Sequence, residues 1–515
     1  MRGWQAGMVV CWLAVGCGGP LPDEVPSANV SEELSDSSSE QVPAPGAPAP
    51  EWWCPPTEGE TQRVKTLLPP TGTIPRYAAT PESLVEFRGQ IFFAINFEDG
   101  RMALWRSTGT EAGTQEVRSF PAVSPAGFPR LGGLTPAGDK LFFLANESAT
   151  GNELWVTDGT TGGTQLVGDL TPGPESSWLF LLTGLGQRLV FFREIPEPSL
   201  PRRAELLRSD GSAAGTTRLM ELAPSTSVSR QGFQLGGSLF FFLADTTRGT
   251  AMWRTDGTPS GTQRVRALDE QAVDILEVHT AGNRAFFTLR DEETLTELWQ
   301  TDGTQAGTRR MYTFGPGFFL PRVLGAMGEY LYLALPSLET QVVHLYRMRV
   351  DGTSGREYVT TLPNPYAGQP DAVPLPAHVS IAEGKLFFSI VVGSSGPAPR
   401  DTQLWVTDGT KSGTRLLRRP LSLSDEYSSP ILALGAGLAF FSAYEASSAS
   451  IEPWVTDGTV AGTRRLRDIA PGGESSYPRS FTRVGDRIFF SAYDETLAGQ
   501  LWSVPLRSTC VAGQE

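Results

Sequence analysis

Apolar positions along this chain fall in short runs, too brief to build one face of a helix. The runs come in pairs, the first rich in phenylalanine: Ile91-Phe92-Phe93, Leu141-Phe142-Phe143, Ala285-Phe286-Phe287, Leu386-Phe387-Phe388 and Ile488-Phe489-Phe490 are five of nine. The second is Glu153-Leu154-Trp155, with counterparts ending at Trp105, Leu207, Trp253, Trp299, Tyr346, Trp405, Trp454 and Trp502, spaced 46 to 59 residues apart. Aromatic and β-branched residues in runs this short predict strands. Ahead of each pair stands a further short run ending in glycine, such as Leu131-Gly132-Gly133, and behind it a polar stretch leads to a fourth run, as in Thr157-Asp158-Gly159-Thr160 before Leu166-Val167. Each unit therefore reads as four antiparallel strands, a to d.

A four-stranded unit with apolar residues on both faces must be covered on both sides by its neighbours, and a ring supplies that cover without terminal caps. The expected fold is all-β: one β-propeller of about nine four-stranded blades spanning 54–515, closed by pairing of the N- and C-terminal strands. The sixth unit, with Tyr346 and a shortened Asp351-Gly352-Thr353, is the expected irregular one. Glycine (56) and proline (40) suit the many tight turns.

The turn has a local explanation. Asp158, Asp256, Asp302, Asp408 and Asp457 each precede a glycine, Gly159, Gly257, Gly303, Gly409 and Gly458. Asp bonds its own backbone two residues on, and Gly supplies positive φ. Calcium is the alternative use of these carboxylates, but one per turn falls short of the about six to eight oxygens that calcium takes. No cofactor and no metal site are expected. His279, His344 and His378 are the only histidines, each reads as a blade residue, and no spacing of ligands or nucleophile with base points to an enzyme.

The repeated units resemble the ELWxxDGT repeat family, known chiefly from large bacterial secreted proteins and lipoproteins and without a generally assigned activity. The resemblance covers about 60 to 510, with departures at Ser107-Thr108-Gly109-Thr110 and Asp210-Gly211-Ser212.

The first sixteen residues, with one positive charge and an apolar centre, read as a lipoprotein signal peptide. Leu13-Ala14-Val15-Gly16-Cys17 resembles a lipobox, with Cys17 as the lipidated residue; an ordinary secretory signal cleaved nearby is the alternative. Residues 17–53, acidic and rich in Ser, Pro and Ala, then form a tether. Half of the net charge of −14 lies in 18–53, and the remainder carries no basic stripe, which argues against nucleic acid as a partner. Gly18 and Gly19 supply no Asp after Cys17, so sorting favours the outer membrane, facing either the periplasm or the medium.

A lone d strand, GETQRVKTL at 59–67, stands before the first unit, and strands b and c end the last one. Pairing them closes the ring, sets Val64 roughly opposite Trp502 and brings Cys54 near Cys510. With Cys11 in the signal and Cys17 lipidated, a Cys54–Cys510 disulfide is expected, two free thiols being the alternative.

In such a blade the a–b and c–d turns share one face, and the b–c and d–a loops share the other. The second set varies from unit to unit, as at 193–204, 362–378 and 391–402, which makes it the expected ligand face. Phe128, Trp178, Phe233, Phe319, Tyr427 and Tyr477 stand near the start of strand a and are the candidate ligand residues, or else plugs between blades. The functional expectation is an envelope-anchored, non-enzymatic binding or assembly module whose partner is an envelope protein or polysaccharide. A glycan hydrolase or lyase on a propeller, and a purely structural surface protein, are the alternatives.

Overall fold

The computed structural model describes residues 55–507, except 71–78, 124–129, 196–202, 272, 291–294, 316–320, 371, 383, 393–400, 420, 422–430, 434–436 and 446–449. Nine four-stranded antiparallel sheets follow one another around a β-propeller. The first blade shows the plan: strand a Pro81–Phe87, b Gln90–Asn96, c Met102–Ser107 and d Gln115–Phe120, each paired with the next. Blades two to eight occupy 132–166, 178–221, 226–269, 274–314, 322–362, 375–418 and 432–465. The ninth takes Arg479–Val484, Arg487–Tyr493 and Gly499–Pro505 from the end of the chain and Gln62–Lys65 from its beginning. One helical turn, Glu58–Glu60, precedes it.

Strand b is apolar on both sides because it is buried on both. In blade one, Phe93 stacks across the sheet on Trp105 (6.4 Å between centroids) and, with Ile91 and Ile95, fills the seam to blade nine. Phe92 and Ala94 point the other way, into the seam with Leu141, Phe143 and Trp155 of blade two. The phenylalanine pair thus serves two seams at once, each ring removing roughly 150–250 Å² from water.

The c–d turn carries the contact between blades. In blade two, Asp158 Oδ1 accepts from the backbone N (2.8 Å) and hydroxyl (2.7 Å) of Thr160, Gly159 N donates to Thr157 Oγ1 (2.9 Å), and Thr157 and Thr164 join through their hydroxyls (2.7 Å). Blade three repeats the set with Ser212 in place of threonine, so Asp210-Gly211-Ser212 keeps the turn despite its departure in sequence. Blade one, with Thr108 for the Asp, keeps the hydroxyl pair Ser107–Thr114 (2.7 Å) and a Thr108–Thr110 contact (3.2 Å). The turn glycine then lies flat on the preceding blade. A Cβ on Gly159 (φ +95°) would stand 3.2 Å from Phe92 Cζ, one on Gly303 2.9 Å from Phe240 Cζ, and one on Gly409 2.0 Å from the Tyr332 hydroxyl.

A cation near the end of strand d clips the outer rim. Arg118 lies over Trp155 of the next blade (4.7 Å) and donates to Thr164 O (3.1 Å). Lys65 does the same to Trp105 and Thr114 O, and Arg467 to Trp502 and Thr61 O. Arg418 covers Trp454 at 3.5 Å and donates to Tyr444 O.

Some details differ from the sequence reading. The closing register is Arg63 opposite Trp502 and Lys65 opposite Leu501, so Val64 is the bulged residue and is displaced by one position from the expected pairing. The stretch 362–378 is not all loop, because strand a of blade seven is Leu375–Ala382 and includes His378. Blade six is four-stranded like the rest; in its c–d turn Asp351 still binds Thr353, but Val350 and Arg356 flank the turn where the others have threonine or serine. Inner strands also hold a feature unforeseen from sequence, a bulge, which the described residues show in blades one to seven and nine. Three bulges place a non-glycine residue at positive φ: Ser83 (56°), Leu181 (52°) and Ser480 (58°). Cys54 and Cys510 lie outside the described residues.

The second glycine of the turn gives a test. A Cβ on Gly307 would sit 2.0 Å from Asp302 Oδ1, so the Asp side chain and the bare glycine require each other. Gly307→Ala should cost about 2 kcal/mol or more and Asp302→Ala about 1 kcal/mol, while the double variant costs clearly less than the sum. Thermal and urea unfolding of the four proteins measure this; simple additivity would refute the mutual fit.

Candidate functional site

The a–b turns and the c–d turns do lie together on one face, and they are occupied with one another. Arg88 in the first a–b turn donates to Asp158 O (2.9 Å), Lys140 to Asp210 O, and Lys385 to Asp457 O (2.7 Å). The hydrogen bond from the following threonine or serine hydroxyl holds the carboxyls of Asp158, Asp210, Asp256 and Asp302 below the usual carboxylate range. Asp408 and Asp457 make the same bonds to Thr410 and Thr459. A carboxylate engaged in this way folds its own turn, and among the described residues no group of three or more His, Cys, Asp or Glu is gathered for a metal.

The other face carries the varied chemistry. Trp178 opens strand a of blade three, 56% exposed, directly across from Glu194 of strand b. Phe180, two residues on and facing the same way, stacks on Phe192 (5.5 Å). From the inner-strand bulge of blade four, Arg230 reaches back over Phe180 (3.9 Å to the ring centre) and pairs with Glu194 (3.1 Å). The exposed Trp178 and Arg230 and the half-buried Glu194 therefore form one aromatic and charged platform across the seam of blades three and four. A flat indole beside a guanidinium and a carboxylate offers both a stacking surface and polar partners of either sign.

A second feature lies where the ring closes. The b–c loops of blades one and nine enclose a cavity of about 260 Å³ lined by Leu68, Pro69, Ala79, Phe97, Leu497 and Ala498. Arg101 stacks on Phe97 (4.7 Å) and pairs with Asp99 (2.8 Å) at its edge.

The other candidate residues are distributed differently. Phe233 is a plug and not a mouth residue: strand a of blade four begins seven residues earlier at Thr226, and Phe233 stacks on Phe240 (5.0 Å, 7°) in the seam. Tyr477 is half-buried at φ 45°, edge-on to Tyr493. Phe128, Phe319 and Tyr427 lie outside the described residues. Of the histidines, His279 lies 3.4 Å from Glu277, which also accepts from Val323 N (2.7 Å) and meets Arg322 (3.3 Å), bolting blade five to blade six. His344 bonds Thr361 (2.9 Å), and burial lowers its pKa. His378 stands 3.5 Å from Ser389 Oγ.

The first residue of Glu-Leu-Trp holds the d–a loop in blades two and eight. Glu153 accepts from Leu170 N (3.2 Å) and Ser177 Oγ (2.6 Å), fixing the d–a loop that delivers Trp178. Glu452 does the same with Ile469 N (3.0 Å) and Ser476 Oγ (2.7 Å) ahead of Tyr477. The signal was available, since 169–177 and 468–476 share the pattern Asp-Leu/Ile-x-Pro-Gly-x-Glu-Ser-Ser. In blade nine Gln500 takes the slot, accepting from Leu67 N (2.7 Å) and donating to Leu68 O (2.9 Å).

Burial raises the carboxyl of Glu153 and pushes that of Glu452 from 4.5 up to about 7. A folded pKa above the unfolded one gives a contribution fully present below about 4.5 and lost as pH rises through about 7. Glu452→Gln, neutral throughout, should flatten that part of the stability profile and exceed the parent at pH 8 by on the order of 1–3 kcal/mol. Parallel melting curves from pH 4 to 8 decide it; parent and variant falling in parallel would remove Glu452 as the cause.

No family model and no curated protein matches the chain. Solved structures that are similar include prolyl endopeptidase (13% identity over 72% of this chain and 55% of that one, TM-score 0.40) and oligogalacturonate lyase in complex with manganese (13%, 62% and 86%, 0.37). A third is the propeller domain of the trilobed protease from Pyrococcus furiosus, described as having an open velcro topology (10%, 65% and 99%, 0.34). This chain spans about half the length, 55%, of the first of these. They are propeller-containing proteins at low identity, and the likeness is one of scaffold.

Proposed function

We propose that the protein is an envelope-tethered binding module of the ELWxxDGT kind, in which a non-enzymatic propeller presents a protein or polysaccharide ligand with its loop face. The observation that carries this is the contrast between the faces. One is consumed by near-identical turns that bond to each other and to the neighbouring blade, and the other displays the exposed Trp178 and Arg230 beside Glu194. Cys17 supplies the lipid anchor and the acidic segment to residue 53 the tether, with the outer membrane as destination.

Two tests address the ligand and the anchor. Trp178→Ala with Arg230→Ala should abolish retention of envelope components or polysaccharides that the parent captures, while Asp158→Ala on the turn face leaves retention intact; the opposite result would place binding on the turn face. Cys17→Ser should move the protein from membranes to the soluble fraction, and continued membrane retention would remove the lipid anchor from the proposal.

The ends of the chain support a clasp. Arg507 pairs with Glu60, and Arg464 holds Pro55 and Pro56 by their carbonyls (2.9 and 3.1 Å). Cys54 stands one residue before Pro55 and Cys510 three after Arg507. The Cys54–Cys510 disulfide belongs to the same proposal: the exported protein should resist thiol alkylation until reduced, and immediate labelling of both cysteines would rule the bond out.

A further inference from the structure

The nine outer strands are near-repeats, so each is a control for the others, and one is unlike the rest. An outer strand exposes a row of unpaired backbone groups that invites another strand, and chains blunt that edge with cations or by shortening it. Strand d carries Lys or Arg in blade one (Arg118), three (Arg218), four (Arg264, Arg266), five (Arg309, Arg310), seven (Arg415, Arg418), eight (Arg464, Arg465) and nine (Arg63, Lys65). In blade two it is cut to two residues, Gln165–Leu166. Blade six alone has a six-residue outer strand, Glu357–Leu362, with no cation. By register, Thr360 stands where other blades have Arg118, Arg266, Arg418 and Lys65, and Tyr358 stands where blades four and five have Arg264 and Arg310.

The surroundings strengthen the contrast. Tyr358 is 57% exposed and bonds Thr361 through its hydroxyl (2.7 Å). It packs edge-on against Tyr346 (5.7 Å) beside His344, and Arg356, between Tyr312 and Tyr346 (4.8 Å to each ring), keeps its charge against the aromatic wall. The one anion, Glu357, is held by Arg347 (2.9 Å).

We propose that this edge is a self-association site, where a second copy of the chain sets its own Glu357–Leu362 antiparallel to the first about a two-fold axis. The charge pattern selects that partner. Antiparallel self-pairing puts Glu357 opposite Leu362, Tyr358 opposite Thr361 and Val359 opposite Thr360, so the two carboxylates lie at opposite ends and aromatic meets β-branched residue. Five of the other outer strands, those of blades four, five, seven, eight and nine, carry two basic residues each, so self-pairing there brings four cations onto one pair of strands. The bulge at Val359 is common to the outer strands of most blades and does not distinguish this one.

Sedimentation velocity on the purified full chain, from about 1 to 100 µM, tests the proposal. The parent should be a concentration-dependent dimer, and Tyr358→Arg with Thr360→Arg should weaken dimerisation by ~tenfold or more. Both arginines occupy positions where other blades already carry them, and an unchanged melting temperature confirms that the variant folds. Amides 357–362 of the parent should exchange more slowly at the higher concentration. A parent monomeric throughout, whether or not an unrelated peptide binds the edge, or a dimer indifferent to the two arginines, would overturn it.

Discussion

Contact between the turn glycine of one blade and the central strand of the blade before it is the constraint on which the ring depends. With φ near +90° and a phenylalanine or tyrosine ring against its Cα, as at Gly159 on Phe92 and Gly303 on Phe240, the position excludes every side chain. The Asp before it, the threonines seven apart and the second glycine are there to hold that one residue in place. Asp158 ties Thr160, Thr157 ties Thr164, and Gly163 leaves the room that the Asp carboxylate fills. Packing and local hydrogen bonds give every residue of the motif a role in the ring.

Closure obeys the same logic. The opening strand does not merely fill a gap in blade nine; through Lys65 it covers Trp105 of blade one, so the join is built from the same clip that Arg118 and Arg467 supply elsewhere. Gln500 adds a bond pattern only a neutral amide can make, accepting from one backbone group of the opening strand's extension and donating to the next. A carboxylate there would lose the donation, which explains why the closing blade departs from Glu.

Strand positions, blade number and the closing pair were legible because each follows from alternation and repetition, properties that a single chain displays. What escaped was set by the third dimension. Val64 slips from its expected partner because a bulge inserts one residue, and no residue type in a four-residue strand marks a bulge. Inner-strand bulges carry serine and leucine as well as glycine, so positive φ at Leu181 left no signature. Phe233 looked like Trp178 in sequence, but an inner strand longer by a three-residue excursion moved it from mouth to seam and put Arg230 at the mouth instead. Glu153 and Glu452 were visible as letters, and their role was not, because their partners sit 17 and 24 residues away in a loop.

Repetition also shows which departures matter. Ser212 for threonine and Thr108 for Asp leave their turns intact, since a hydroxyl replaces a hydroxyl in the first and a shorter polar group contributes a weaker contact in the second. The changes in blade six are of another kind. Tyrosine for Trp and His for Glu on strand c lie beside an outer strand that has Tyr358 and Thr360 in place of cations, and that strand lacks the charge that guards every other long edge. A ring whose blades need one another equally gives no packing reason for one of them to differ at its rim. The proposed meeting of that rim with a second copy of the chain would supply one.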